Sequence, residues 1–411
     1  MYITRVALRN IRGFGKEFEL AIRTADGKPR MRTVIIGKNG TCKTTLLRCL
    51  ALSVCWREDA NALLAEPIGP MISQGKEEGH IEVELSSPSG RGKPVTITSR
   101  LRRAKGRRDF VEGTDGREAL KDNVLVCGIG AGRSGVGEES VREYQIVDSV
   151  YSLFNYQQSA LIPIEMTLRR LKEFKASGKS VSVYDGVMNG LKNALGLPAE
   201  ANFAFGRGGG VLITAPGVGE DVPLEAWADG YRLTMNWIMD VYAWAMRADT
   251  LTTPGGVEGI VLVDEIEQHI HPSLQITLLD RLSQLMPNAQ LFITTHSPLA
   301  AMGAKPEEVV SLRRSAKGIT SETPLPNFAS YSVTEMLEDP RLFAASAHRP
   351  ETQEAINRYR ELTNIPKSKR TDPESKELSD LARRMIESNG SREKLSPLLT
   401  ELVKLTEKYD L

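Results

Sequence analysis

Three short stretches of this 411-residue chain carry side chains whose types and spacing suit phosphate chemistry. The first, Gly37-Lys38-Asn39-Gly40-Thr41-Cys42-Lys43-Thr44-Thr45, fits G-x-x-x-x-G-K-[ST] except that Cys42 stands where the last glycine belongs. Glycines in such a loop let backbone N–H groups turn onto phosphate oxygens, and the helix that follows adds the positive end of its dipole. Lys43 would then place a charge on the β- and γ-phosphates and Thr44 a hydroxyl on Mg2+. The second stretch, Ile260 to Glu265, is an apolar run that ends in two carboxylates, Asp264 and Glu265. Beside a phosphate loop, Asp264 would support the metal and Glu265 would polarise the attacking water. The third, Phe292 to Pro298, ends its apolar run at His296, which there can hydrogen-bond the γ-phosphate and the same water. The order of loop, acidic strand and histidine strand is more specific than any one piece.

Other readings of the same residues stay open at this level. Three of the five histidines, His269, His271 and His296, fall in this region. Asp264, Glu265, His269 and His271 could therefore ligate a catalytic transition metal, a reading that leaves the phosphate loop unexplained. His-Ile-His before Pro272 could equally be a connecting turn. Cys42 must be tolerated at a glycine position, where it could weaken the cradle or force a different local backbone angle; its thiol reads as an inert small residue before an oxidisable group beside Lys43.

These groups need elements to hold them. Thr33 to Ile36 is a short β-branched run before Gly37, and Thr44 to Cys55 has helix length, so strand, loop and helix follow in the order of a nucleotide-binding unit. Alternation over 2–9, 17–22, 80–86 and 95–103 predicts strands with one covered face, the last two as an antiparallel pair. Residues 123–127, 259–263 and 290–294 read as buried strands. Helical patterning dominates 144–196 and returns at 230–246 and 273–286. The expected fold is therefore α/β: a mostly parallel sheet, an antiparallel β lobe, an inserted helical subdomain and a C-terminal helical appendage. The divisions fall at 1–143, 144–250, 251–340 and 341–411. In 366–411, 19 of 46 residues are charged against 26% for the whole chain, and Leu378, Leu381 and Met385 share a helix face, as do Leu395, Leu398, Leu402 and Leu405. That segment reads as a helical hairpin or as a partner-binding appendage.

Composition narrows the class. Lys and Arg number 53 against 52 Asp and Glu, which excludes a globally basic or acidic coat. A hydrophobic content of 41% fits a folded protein and not a disordered one. No run approaches the ~18 apolar residues of a membrane span. Arg9 and Arg12 come too early for a secretory apolar core, and Cys42, Cys49, Cys55 and Cys127 have no disulfide spacing, so a cytoplasmic protein is expected. One local exception to neutrality is 91–108, with eight basic residues in eighteen. It could meet a nucleic-acid backbone or be a solvated hairpin end.

At this point the residues resemble the ABC-type ATPases of the branch that holds RecF, the structural-maintenance-of-chromosomes heads and the overcoming-lysogenization-defect proteins. Asp264-Glu-Ile-Glu-Gln-His-Ile-His-Pro and Thr295-His-Ser-Pro look like the acidic strand with its following loop and the histidine switch. Asn10-Ile-Arg-Gly-Phe is similar to the opening turn, which adds Arg12 to the implied nucleotide contacts. Trp227-Ala228-Asp229-Gly230-Tyr231-Arg232 resembles the signature that reaches across a dimer to the opposite γ-phosphate, with Ala228 where the family has a serine. The resemblance implies a glutamine linking the sheet to the helical part and reaching the metal, Gln157 or Gln158, and makes Arg133 a candidate phosphate contact. It further implies ATP and Mg2+ as ligands, a head-to-tail homodimer around two ATP molecules, and slow or absent turnover where Cys42 and Ala228 depart. ATPase subunits of prokaryotic anti-phage systems, Septu-like ones among them, are similar, which implies a separate nuclease or toxin effector. A RecF-like repair role and a non-hydrolysing ATP-sensing scaffold are the alternatives.

Overall fold

The computed structural model describes residues 1–104, 108–120, 124–133, 135, 137, 143–157, 161–176, 181–206, 209–252, 254–322, 325 and 327–388. The chain opens with β1 (Tyr2–Arg9), β2 (Phe18–Ala21) and the buried β3 (Arg32–Ile36), then α1 (Lys43–Val54) and α2 (Arg57–Leu64). Next come β4 (Glu78–Ser86), β5 (Val95–Arg103), β6 (Asp109–Asp115) and β7 (Leu125–Ile129). A helical stretch holds α3 (Ile146–Val150), α4 (Ile164–Ala176) and α5 (Val181–Leu195), followed by the short strands β8 (Asn202–Phe205), β9 (Val211–Ala215) and β10 (Gly219–Pro223). Then come α6 (Asp229–Arg247), the two-residue strands β11 (Leu251–Thr252) and β12 (Gly256–Val257), β13 (Gly259–Val263), α7 (Pro272–Leu285), β14 (Ala289–Thr294) and α8 (Pro298–Met302). Strands β15 (Val309–Ser315) and β16 (Gly318–Glu322) precede α9 (Val333–Glu338), α10 (Pro350–Asn364) and α11 (Asp372–Ser388).

The sheet that matters runs β16-β15-β3-β14-β13-β7, parallel except for the edge strand β16. Its residues alternate between two cores, as the pleat requires. Ile35, Ile260, Leu262 and Phe292 face one core together with α1 and the antiparallel sheet β2-β1-β4-β5-β6. Val34, Ile36, Val261, Val263, Leu291 and Ile293 face the other, with α4, α5, α6 and α7. Helix α1 is thus enclosed between two sheets, which is why its residues from Thr45 to Val54 are buried on every side.

The chain divides into two compact units, Met1–Phe343 and Ala344–Leu411. In the second, α10 and α11 bury Tyr359, Leu362, Leu378 and Ala382 against each other, and Arg358 pairs with Glu377 at 2.9 Å. The leucines at 395, 398, 402 and 405 lie outside the described residues.

Candidate functional site

Register brings the three stretches together. In the pairing of β13 with β14, Val263 lies opposite Ile293, and in that of β14 with β3, Thr294 lies opposite Ile35. Neighbouring strands thus end nearly level, so the loops after Ile36, Val263 and Thr294 leave the same carboxyl edge. That edge is where parallel α/β sheets bind ligands.

The phosphate loop is tightly built. Gly37 has φ +151°, and a Cβ there would lie 2.5 Å from the carbonyl oxygen of Leu312. Arg314, on β15, donates to the Gly40 carbonyl at 2.8 Å, and Thr41 donates its hydroxyl to Lys38 O at 2.8 Å. Lys38, Asn39 and Gly40 are exposed. Cys42 has φ 65° and ψ 28°, the left-handed conformation that glycine would adopt freely. That conformation costs a residue with a Cβ roughly 1–2 kcal/mol. The thiol sits beside Gly13, where an added Cβ would meet its Sγ at 3.1 Å, so a glycine elsewhere makes room for the missing one.

Lys43 is buried, and its ammonium donates to Gly37 O at 2.8 Å and Lys38 O at 3.3 Å. Burial pushes its pKa down to about 8, against the opposing pull of Asp264, Glu265 and Glu267. Thr44 donates to Asp264 at 2.8 and 3.1 Å. Asp264 is 1% exposed and also accepts from Thr294 Oγ1 at 2.5 Å. The same Thr294 oxygen accepts from the Glu265 amide at 2.9 Å, so one hydroxyl orders both acidic residues. Glu265 has φ 48°, and its carboxyl is raised above the usual range by burial first, then by Asp264 and Glu267. His296 is exposed at the end of β14, and its imidazole is lowered by partial burial and by Lys43.

Several side chains here were not assigned a role from the sequence. Besides Thr294, Glu267 accepts from Thr295 and from the His296 amide. Arg48, buried on α1, donates to Leu153 O at 2.6 Å and to Tyr156 Oη at 3.3 Å. Tyr156 Oη in turn lies 3.4 Å from Asp264 Oδ2. Gln157 is exposed, with its backbone amide on Asn155 Oδ1 at 3.0 Å, and Gln158 lies outside the described residues. Only local signals could have found these: Thr294 in the Thr-Thr-His run, Glu267 in the Asp-Glu-Ile-Glu run.

Two candidate contacts are committed elsewhere. The Arg133 guanidinium, 2% exposed, donates to the carbonyls of Asp264 (3.0 Å), Glu265 (2.7 Å) and Ile266 (3.3 Å). It braces the acidic loop from behind, and burial pushes its pKa down to about 10. Arg12 donates to Thr45 Oγ1 at 3.0 Å and to the carbonyls of Ile68, Gly69 and Pro70, which ties the opening turn to the first turn of α1.

The signature-like residues open α6. Ala228 is its N-cap, with no side-chain bond to the helix, and Ala228 and Asp229 are exposed. Asp229 pairs with Arg232 at 2.6 Å, and Tyr231 packs edge-on to the buried Trp227. A Cβ on Gly230 would lie 2.5 Å from His269 O, so the helix start rests directly on the loop that leaves Glu265. His271 caps α7 through Nδ1, accepting from the Ser273 amide at 3.3 Å. Among the described residues no three His, Cys, Asp or Glu side chains gather as a transition-metal site would need. Three arginines of the basic run are paired across the antiparallel sheet: Arg100 with Asp115, Arg102 with Glu78 and Glu112, Arg103 with Asp109. Lys105 and Arg107 lie outside the described residues. No helix among the described residues is long and apolar enough to cross a membrane.

A hydroxyl and a carboxylate held within 3.1 Å of each other are hard oxygen donors, and they fit Mg2+ better than a softer metal. Strand order, phosphate loop and acidic edge together have the form of an α/β phosphate-loop nucleotide site.

Residues 239–302 match the family described as "AAA domain, putative AbiEii toxin, Type IV TA system". The chain is 26% identical over 359 residues to the Septu protein PtuA of Bacillus mycoides (strain KBAB4), covering 84% of this chain and 46% of that protein. It is 34% identical over 86 residues to the Septu protein PtuA of Bacillus thuringiensis, covering 20% of this chain and 22% of that one. It thus spans less than half the length of these relatives. The SMC head domain from Thermotoga maritima aligns over 79% of this chain and 100% of its own, with 12% identity and a TM-score of 0.46. The chain is thus similar to Septu PtuA proteins over most of its length, and to the AAA family over 239–302.

Proposed function

We propose that this module binds ATP over the phosphate loop, hydrolyses it, and uses the cycle to control a separate effector protein in anti-phage defence. The supporting observation is the level ending of β3, β13 and β14, which gathers Lys43, Thr44, Asp264, Glu265 and His296 on one edge. Loop amides and the Lys43 ammonium take the β- and γ-phosphates. Thr44 and Asp264 would hold Mg2+, which supplies charge neutralisation on the phosphate oxygens. Glu265, its carboxyl raised and its backbone fixed by Thr294 and Arg133, orients the water and takes its proton. His296 hydrogen-bonds the γ-phosphate. The exposed start of α6 supports a dimer in which Ala228 to Tyr231 would meet the γ-phosphate held by a second copy.

The Septu names of the relatives support the defence setting. A nuclease or toxin is the effector that such a setting calls for. The paired arginines of β5 support a solvated sheet face more than a nucleic-acid contact at that place.

Steady-state ATPase activity of wild type and Glu265→Gln, each weighed with and without MgATP, tests the reading. Hydrolysis predicts a fall in turnover of about 10²-fold or more and an accumulated ATP-bound dimer in the variant. Equal idleness of both proteins, with ATP bound, would instead leave an ATP-sensing scaffold, the reading that the missing hydroxyl at Ala228 favours.

A further inference from the structure

Glu267 lies two residues beyond the water-orienting carboxylate and has no part in the mechanism above, yet it holds the histidine loop. Its Oε2 accepts from Thr295 Oγ1 at 2.7 Å and its Oε1 from the His296 backbone amide at 2.6 Å. The Thr295 hydroxyl also accepts from the Ser297 amide at 2.9 Å. Ser297 Oγ donates to Gln275 Oε1 at 2.6 Å, and Gln275 Nε2 donates to Ile270 O at 2.8 Å. The loop after β13 and the loop after β14 are therefore joined twice. The carboxylate makes the join that lies nearest the chemistry.

From this geometry we infer that Glu267 is a positioning residue for His296, tying the histidine to the loop that carries Glu265. The inference rests on the hydrolytic reading above. A carboxylate suits this place because two donors converge on it, and each oxygen takes one. A glutamine offers a single acceptor oxygen. Its NH2 group cannot receive a backbone N–H, so Glu267→Gln keeps the His296 amide only by turning its NH2 onto the Thr295 hydroxyl, which reverses that bond. Any movement of Glu267 moves Glu265 and His296 together, which keeps the water-orienting and phosphate-contacting groups in a fixed relation.

The test is a double-mutant cycle in the full chain: wild type, Glu267→Ala, His296→Ala and the double variant, with kcat and ATP affinity measured for each. Glu267→Ala is expected to lower kcat about tenfold or more while ATP affinity stays within about threefold, because the phosphate loop is untouched. If Glu267 acts through His296, the double variant is no slower than His296→Ala by more than about threefold. Glu267→Gln, which can keep the His296 bond and reverses the one to Thr295, falls between wild type and Glu267→Ala. If Glu267→Ala does not fold, the cycle is run with Glu267→Gln and the same two criteria. Losses that multiply in the double variant, or a fall in ATP affinity that matches the fall in kcat, overturn the inference. A wild type without turnover removes the hydrolytic reading itself, whereas multiplying losses in an active wild type remove only the role of Glu267.

Discussion

Helices α1 and α6 begin in the same way and end up in opposite circumstances. Neither has a side chain bonded to its first N–H groups, whereas α7, α8 and α9 are capped by His271, Ser297 and Ser332. An uncapped helix start leaves orphan donors, and these favour an anion. At α1 those donors lie beside Lys43, Thr44 and Asp264, so the proposed anion site would have its charges and its metal ligands within one chain. At α6 the donors open from Ala228 and Asp229 onto solvent, with only Gly230 pressed against the loop at His269. One start is a finished site and the other is half of one. Under the proposed function the missing half belongs to another molecule, and the symmetric candidate is a second copy of this chain.

The harshest way to break the comparison is at α1. Lys43→Ala deletes the only buried ammonium aimed at the phosphate loop among the described residues, and uptake of MgATP should fall by about 10²-fold or more. Calorimetric titration with MgATP measures this. Because burial already depresses Lys43 to about 8, the nucleotide-free protein should lose little melting temperature. A variant that still takes up nucleotide normally would mean that α1 is not the anion site, and the contrast with α6 would lose its basis.

How far each start was legible follows from the range of the forces involved. The phosphate loop is a local pattern, seven residues between a β-branched run and a helix, so spacing alone located it. The carboxylate pair and His296 were located by apolar runs of strand length ending in polar residues, which report a sheet edge. Their mutual distance was not readable, because it depends on the register of β13 against β14 and of β14 against β3. Arg314 is the clearest omission. It reaches Gly40, 274 positions away in the chain, only because β15 lies beside β3. Tyr156 was hidden for a related reason. The family resemblance points to the glutamines that follow it, while the tyrosine approaches Asp264 with Arg48 under its ring. Cys42 was readable as an oddity, but its accommodation was not, since the space comes from Gly13 in a different turn.

A second test asks whether α6 is as loosely held along its length as it is at its start. Asp240, three turns in, is buried, accepts from the Ile162 amide at 2.8 Å, and is pushed by burial up to about 7, with Arg247 on the same helix pulling the other way. Unfolded, the group titrates near 3.8, so the folded chain retains the proton through the interval between the two values. The contribution of Asp240 to stability is therefore fully present below about pH 4 and is lost as the pH rises through 7. Asp240→Asn keeps an acceptor for Ile162 and removes the charge. Relative to wild type it should gain more than about 1 kcal/mol at pH 8, and the gain should shrink toward zero near pH 4. Melting curves across that range show it. An equal offset at every pH would mean that the carboxyl is ionised throughout and that α6 is anchored by charge, not by a neutral hydrogen bond.

The smallest expected effect bears most directly on the missing half of the site. Ala228 occupies the N-cap of α6 with extended-side backbone angles, φ −56° and ψ 139°, which a serine adopts without strain. Ala228→Ser adds one hydroxyl at an exposed helix start and nothing to the phosphate loop of its own chain. In the nucleotide-free protein the hydroxyl can accept from an early helix N–H, raising stability by about 0.5–1 kcal/mol. In an ATP-bound dimer the same hydroxyl turns to donate to the partner's γ-phosphate, a charge-assisted bond worth about 1.5–3 kcal/mol in isolation and less after the cap is given up. The net is a several-fold tighter dimer, read by sedentation of Glu265→Gln with and without Ala228→Ser over a range of protein concentrations. A higher melting temperature with an unchanged dimer constant would mean that the hydroxyl found only its own helix. The start of α6 would then be an ordinary exposed helix end, and the two helices would differ in kind and not in completeness.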